Sequence, residues 1–269
     1  MSATPPKILA ETRHSGALLV LTLNAPKANI LDQAMMAGIE SALLEHGSSP
    51  ALKGILFKGA GDHFCFGASV EEHRPSNAAA MLSNFHGLFR KLAALSVPTF
   101  AAISGQCLGG GLELAAYCTW IFAHPLSKFG QPEMKLAVFP PMASILLPWR
   151  IGGGRAMDLC ISGRSVDAAH AKQIGLIHEI GDNPEAMAEQ FFAEHIEPLS
   201  ASSLKFAEKA ARHSLLERLK TELPRIEELY LDELMRTPDA CEGIAAFLEK
   251  RKPSYGALTH PKAAKTEAS

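Results

Sequence analysis

An apolar strand that passes through consecutive glycines straight into a helix, Ile103-Ser104-Gly105-Gln106-Cys107-Leu108-Gly109-Gly110-Gly111-Leu112-Glu113, constrains this chain more than any other segment. Strand, tight turn and helix in that order suit a layered α/β architecture, in which the helix packs back on the sheet. Glycines at the turn leave backbone N–H groups bare. Those donors, reinforced by the positive end of the helix dipole, fit an oxygen on which negative charge develops. A glycine run before a helix also serves plain close packing, and a Glu in a first helical turn also serves plain dipole compensation. Context separates the two uses.

A second turn of this kind, Gly59-Ala60-Gly61-Asp62-His63-Phe64-Cys65-Phe66-Gly67-Ala68-Ser69, follows another apolar strand, Gly54-Ile55-Leu56-Phe57-Lys58. Two strand-to-turn units each aim one N–H at a common point, the geometry of a two-donor oxyanion hole. Two carboxylates accompany them: Glu113, and Glu133 in Gly130-Gln131-Pro132-Glu133, 20 residues later. A reaction that moves protons while negative charge develops on a held oxygen, such as the enolate oxygen of a thioester, needs a base, an acid and stabilisation of the anion between them. Two carboxyl groups at one water divide the first two tasks, because burial and mutual repulsion raise at least one pKa.

Short apolar strands are expected at Leu18 to Asn24, Ile55 to Lys58, Thr99 to Ile103 and Trp120 to Ala123, apolar on both faces and therefore covered. Helical spans separate them at Gln33 to His46, Ala78 to Leu95 and Gly111 to Cys118. After about Gly163 helix signals dominate. Asn183-Pro184-Glu185 and Thr237-Pro238-Asp239 each supply an N-cap, a proline at the first helical position and an acid in the first turn, and the second of these helices is expected to end in Lys250-Arg251-Lys252. Leu223, Ile226, Leu229, Tyr230 and Leu234 fall on one helical face as a core or interface stripe. No internal repeat is visible, and the chain ends in a polar tail after Thr259.

A length of 269 residues with 47% apolar and 20% charged residues fits one large domain or a domain with a small appendage. A net charge of −2 leaves no footprint for nucleic acid or an anionic membrane. The absence of a long apolar run, and an N-terminus Met1-Ser2-Ala3-Thr4-Pro5-Pro6-Lys7 without a signal-peptide core, lead us to expect a cytoplasmic protein. Cys65, Cys107, Cys118, Cys160 and Cys241 are widely spaced and read as reduced thiols, mostly small core residues. His63, His73 and His86 lie near the turns and read as solvent-facing or hydrogen-bonded, with His73 and Arg74 as an alternative gate at a pocket mouth. P-loop, dinucleotide, nucleophile-elbow and zinc-helix motifs are all missing, so nucleotide hydrolysis, dehydrogenation and zinc chemistry lose support.

With both turns and both glutamates in view, the chain from about Ile8 to Leu258 resembles the crotonase (enoyl-CoA hydratase/isomerase) superfamily. The resemblance implies an α/β fold built as a spiral of ββα turns with a C-terminal α-helical trimerisation region. It implies a core over 1–200 that carries an acyl-CoA site, and a helical region over 201–269 that oligomerises and closes the pocket. The oxyanion donors would be the N–H groups of Ala68 and Gly110, and the acid and base Glu113 and Glu133. Phe66, Ala68 and Val70 would surround the adenine of coenzyme A, and Gly109 would belong to the substrate site. The expected partner is an acyl-CoA thioester and the expected assembly a trimer or dimer of trimers. No metal is expected, and no cofactor beyond the coenzyme A of the substrate.

Ser69 stands where the family usually has Asp, and Phe139-Pro140-Pro141-Met142-Ala143-Ser144 replaces a Pro-Gly-Ala-Gly-Gly stretch. Phe139, Pro141 and Met142 are expected to fill and stiffen the acyl pocket, favouring a flat cyclic acyl group over a long chain. The run Phe64 to His73 together with Phe139-Pro140-Pro141 is similar to the cyclohexa-1,5-diene-1-carbonyl-CoA hydratases of anaerobic benzoyl-CoA degradation. That resemblance implies 1,4-addition of water to the cyclic dienoyl-CoA, giving 6-hydroxycyclohex-1-ene-1-carbonyl-CoA. The alternatives are a general short-chain enoyl-CoA hydratase or isomerase and a non-catalytic crotonase-like binding protein. Glu71 replaces a basic residue that often meets the CoA phosphates; Lys250, Arg251 and Lys252 offer either substitute charge or plain dipole compensation, and Tyr255 is placed near the acyl pocket.

Overall fold

The computed structural model describes residues 5–256. Met1 to Thr4 and the tail after Thr259 lie outside the described residues. In chain order the strands are β1 (Ile8–Arg13), β2 (Leu18–Leu23), β3 (Gly54–Gly59), β4 (Thr99–Ile103), β5 (Gln106–Leu108), β6 (Trp120–Ala123), β7 (Lys128–Gly130), β8 (Ser165–Asp167) and β9 (Glu179–Ile180). The helices are α1 (Gln33–His46), α2 (Ala78–Leu95), α3 (Gly110–Tyr117), α4 (Ala143–Ile151), α5 (Gly153–Ser162), α6 (Ala168–Gln173) and α7 (Pro184–His195), followed by α8 (Ala201–Ala211), α9 (His213–Thr221), α10 (Leu223–Glu228) and α11 (Pro238–Leu248).

Six strands form one sheet in the order β1-β2-β3-β4-β6-β9, parallel except for the β1/β2 pair. Register runs across it through Leu21, Phe57, Ala101 and Ile121. Side chains alternate between its faces, as the pleat requires. Leu19, Leu21, Ile55 and Phe57 enter the main core, whereas Leu18, Val20, Leu56 and Phe100 enter a second core closed by Ala188 and Phe192 of α7. Burial on both faces explains why these strands are almost continuously apolar.

A second layer grows from the ends of these strands. Leu31 bridges Ala68 and Cys65 bridges Cys107, both in parallel, and the series continues through β5 and β7 to the antiparallel β8. Each circuit is therefore strand, shorter strand, helix, as in β4-β5-α3, which is the spiral of ββα turns expected. Because the segments at Leu31 and Cys65 to Ala68 and the strands β5 and β7 each follow a first-layer strand, successive turns end side by side. The site lies there.

The C-terminal helices share cores with the rest of the described chain: Leu215 and Leu223 join the main core, and Tyr230, Met235, Ala240 and Ile244 pack with Ala78, Met81 and Leu82 of α2. Asn183 and Thr237 cap α7 and α11 by accepting from the Ala186 and Ala240 N–H groups. Two expectations need correction. The stripe from Leu223 to Leu234 is broken, because α10 stops at Glu228 and a π-helical turn over Leu229–Glu233 widens the next circuit, leaving Leu229 46% exposed while Tyr230 is buried. The final helix ends at Leu248, before the basic run, where Lys250 adopts φ 55°.

Candidate active site

Backbone hydrogen bonds zip the three turns together. Cys65 N–H donates to Gln106 O at 3.0 Å, Leu108 N–H to Cys65 O at 2.9 Å and Gly109 N–H to Gly130 O at 2.9 Å. At Gly109 the chain turns with φ 51° and ψ −128° into α3, a conformation that favours glycine. A Cβ there would stand 2.6 Å from Glu133 Oε1, so only a bare backbone lets that carboxylate approach the turn. A Cβ at Gly111 would meet Cys65 at 2.6 Å. Gly67, with φ 110°, brings the neighbouring turn close to Gly110 N. Among the described residues neither the Ala68 nor the Gly110 N–H has an acceptor, and a Cβ built on Gly110 would lie 3.2 Å from Ala68 N. Two adjacent free donors therefore face the same space.

Glu113 sits in the first turn of α3 and is 4% exposed. Burial lifts its pKa to about 7, opposed by the N–H groups of Ala143 and Met142 at the start of α4. The Ala143 N–H donates to Oε1 at 2.7 Å. Glu133 lies in a short 3-10 turn, Pro132–Leu136, and is half-buried. Its pKa stands well above the ordinary carboxylate value, first through desolvation and then through the charge of Glu113. The Gln131 side-chain amide, with its nitrogen turned toward Glu133, lies 3.1 and 3.0 Å from the two carboxylate oxygens. Two carboxyl groups in such surroundings do not both ionise readily near neutrality; one keeps a proton while the other offers a lone pair.

A cavity of about 640 Å³ opens on these groups, with Ala68, Gly109, Gly110, Glu113 and Glu133 in its wall. Phe66, Val70, Phe139 and Pro141 also line it. Met142 does not. Its side chain is fully buried in the main core, because Met142 precedes the first turn of α4 and what it turns toward Glu113 is its N–H. Tyr255 sits at an exposed edge with its hydroxyl 3.4 Å from Lys135 O and does not line the cavity. Arg251 is paired with Glu242 and Glu249, and Arg74 with Glu71. His73 lines the cavity, its Nδ1 2.7 Å from Ser69 O. Cys65 and Cys107 are buried, and desolvation raises both thiols, Cys65 to about 12, which keeps them protonated. Cys118 is buried as well, Cys160 is half-buried and Cys241 is exposed.

Residues that no local spacing announces also shape the site. Asn29, fully buried at φ 48°, donates to Ala60 O and His63 O and accepts from Ala25 N–H, pinning the segment after β2 to the first turn. His86 and Tyr230 line the cavity from α2 and from the π-helical turn. His86 is hydrogen-bonded rather than solvent-facing, the two roles expected of it, and its partner Glu227 lies 141 positions away, so only tertiary structure joins them.

A profile of the enoyl-CoA hydratase/isomerase family matches residues 13–257. The chain is 51% identical over 254 residues to a cyclohexa-1,5-dienecarbonyl-CoA hydratase of Thauera aromatica, covering 94% of this chain and 98% of that protein. It is 37% identical to a probable enoyl-CoA hydratase of Mycobacterium tuberculosis, over 88% and 93% of the two chains. A crystal structure of a putative enoyl-CoA hydratase from Mycobacterium avium paratuberculosis superposes with a TM-score of 0.82 at 28% identity, covering 91% of this chain and 98% of that one. With the spiral fold, the converging turns and these relatives together, the chain belongs to the enoyl-CoA hydratase/isomerase family, the crotonase superfamily.

Proposed function

We propose that this chain is a hydro-lyase that adds water to cyclohexa-1,5-diene-1-carbonyl-CoA, giving 6-hydroxycyclohex-1-ene-1-carbonyl-CoA, in anaerobic benzoyl-CoA degradation. The observation that carries the proposal is the pair of glutamates, Glu113 buried and Glu133 half-buried, beside two free amides in a cavity walled by Phe139 and Pro141, and the 51% identity to a named cyclic dienoyl-CoA hydratase supports the choice of acyl group. The N–H groups of Ala68 and Gly110 take the thioester oxygen. Negative charge that develops there meets donors already in place, which require no reorganisation. The ionised carboxyl of the pair takes a proton from water as its oxygen bonds to the β carbon. Coenzyme A enters as part of the substrate, its adenine beside the backbone of Phe66, Ala68 and Val70.

Purified protein is expected to turn over the cyclic dienoyl-CoA faster than crotonyl-CoA, read from the hydroxyacyl-CoA formed, separated by liquid chromatography. Faster hydration of crotonyl-CoA excludes the assignment and leaves the general enoyl-CoA hydratase reading.

The pair also sets a pH dependence. Both carboxyl pKa values are raised, so the base becomes available as pH rises through about 7, and the proton that the pair shares about the water is lost at higher pH. The plot of kcat against pH is therefore expected to be bell-shaped with its acid limb near 7. An acid limb near the ordinary Glu value of 4.5 contradicts the arrangement.

For the assembly we propose a trimer or dimer of trimers, supported by large apolar side chains that this chain leaves exposed, among them Met157, Ile161 and Phe206. Sedimentation equilibrium at three or six chain masses is the expected result, and a monomer at micromolar concentration contradicts it.

A further inference from the structure

The glutamates reach the cavity from α3 and from the turn after β7. A second set of polar groups enters from α2 and the C-terminal segment. His86 is 0% exposed yet lines the cavity. Its Nδ1 stands 2.5 Å from Glu227 Oε1, while its Nε2 has no hydrogen-bond partner. Glu227 is half-buried, held below the usual carboxylate range first by His86 and also by the charge of Arg90, and so faces Nδ1 as an anion. An anionic partner at Nδ1 fixes the proton on that nitrogen and leaves Nε2 as the working end of the ring, a lone pair when the imidazole is neutral and a donor when it is charged. Tyr230 lines the same cavity, and its hydroxyl is buried without a partner. Burial and the two glutamates hold that phenol protonated, which disfavours it as the acid of the pair.

Hydration of the cyclic diene places its two new bonds on different ring carbons. Oxygen bonds to the β carbon, and the proton goes to the carbon across the ring. A carboxyl pair gathered round one water serves the first position; the second needs a donor on another wall. We propose that His86, positioned by Glu227, is the acid that protonates the remote ring carbon, an assignment that rests on the cyclic dienoyl-CoA reading above. In the step, water forms its C–O bond and yields one proton to a glutamate, and the displaced π electrons pass to the thioester oxygen as a dienolate. As the dienolate collapses, its electron pair forms the remote C–H bond with the proton of His86 Nε2, leaving neutral imidazole still donating Nδ1–H to Glu227. Once product has left, the glutamate loses its proton to solvent and the imidazole regains one, so the cycle consumes only water and the diene.

The test uses the full-length wild type and the variants His86→Gln, His86→Ala and Glu227→Gln, with the cyclic dienoyl-CoA as substrate. His86→Gln is expected to lower kcat roughly 10²–10⁴-fold, with KM within about threefold and an unchanged thermal midpoint. Added imidazole is expected to restore at least tenfold to His86→Ala, and nothing to Glu113→Gln. In Glu227→Gln the pH at which kcat is half-maximal is expected to move, since the anion that positions Nδ1 is gone. A kcat for His86→Gln within threefold of wild type overturns the proposal, and so does a parallel loss of kcat and KM that imidazole does not relieve, which marks His86 as packing only. Failure of the wild type itself to hydrate the cyclic dienoyl-CoA overturns the substrate reading instead, before any variant is compared.

Discussion

Glu113→Gln and Glu133→Gln are each expected to reduce kcat on the dienoyl-CoA by roughly 10²–10⁴-fold, with acyl-CoA binding preserved. Glutamine keeps the shape and the acceptor oxygen that receives the Ala143 N–H, but it neither takes a proton from water nor gives one. Because the pair shares its proton, the double variant is expected to lose little more than either single one, the non-additivity of groups that act as a unit. The same substitution has an opposite effect on stability. A carboxyl whose pKa is raised in the folded state contributes stability below its unfolded value, and that contribution is lost as pH rises toward the folded value of about 7. Above that pH Glu113 is a buried charge held for function. Glu113→Gln is therefore expected to raise the thermal midpoint at pH 8 while destroying turnover. Variants that bind acyl-CoA and turn over undiminished contradict the acid–base account.

Gly109→Ala is the second large effect. Its Cβ falls 2.6 Å from Glu133 Oε1, and the residue sits at φ 51° and ψ −128°, outside the regions an L side chain adopts readily. Either the glutamate withdraws or the turn opens, and each response misaligns the Gly110 N–H relative to Ala68. Loss of one oxyanion donor alone costs roughly 10²–10³-fold in kcat, and displacement of Glu133 adds to it. Steady-state kinetics on the dienoyl-CoA, beside circular dichroism to establish folding, measure the effect; a folded Gly109→Ala within tenfold of wild type shows that this turn does not hold the reacting carbonyl.

Much of this arrangement is legible in the sequence because the chemistry rests on backbone turns. The strands β2, β3, β4 and β6 and the helices α1, α2 and α3 fall within a residue or two of the expected bounds, since parallel strands buried on both faces carry unbroken apolar runs. What escapes is what lacks a local period. β1 buries only Ile8 clearly, and β5, β7, β8 and β9 are three residues or fewer, held by neighbouring backbone rather than by composition. Met142 is expected in the pocket wall because it stands in the stretch that replaces Pro-Gly-Ala-Gly-Gly and brings apolar volume, yet one residue before a helix start decides whether a side chain or an amide faces the glutamate. The partnership of His86 with Glu227 is likewise invisible at a separation of 141 residues. Position along a helix gives a residue its face, and only the packed fold gives it a partner.

The most direct test is a crystal structure of the wild type with a non-reacting cyclic acyl-CoA thioester. The account predicts the thioester oxygen about 2.7–3.1 Å from both the Ala68 and Gly110 nitrogens, with the ring between Phe139 and the two glutamates. A thioester oxygen bound away from those amides, or a glutamate turned out of the cavity, contradicts it.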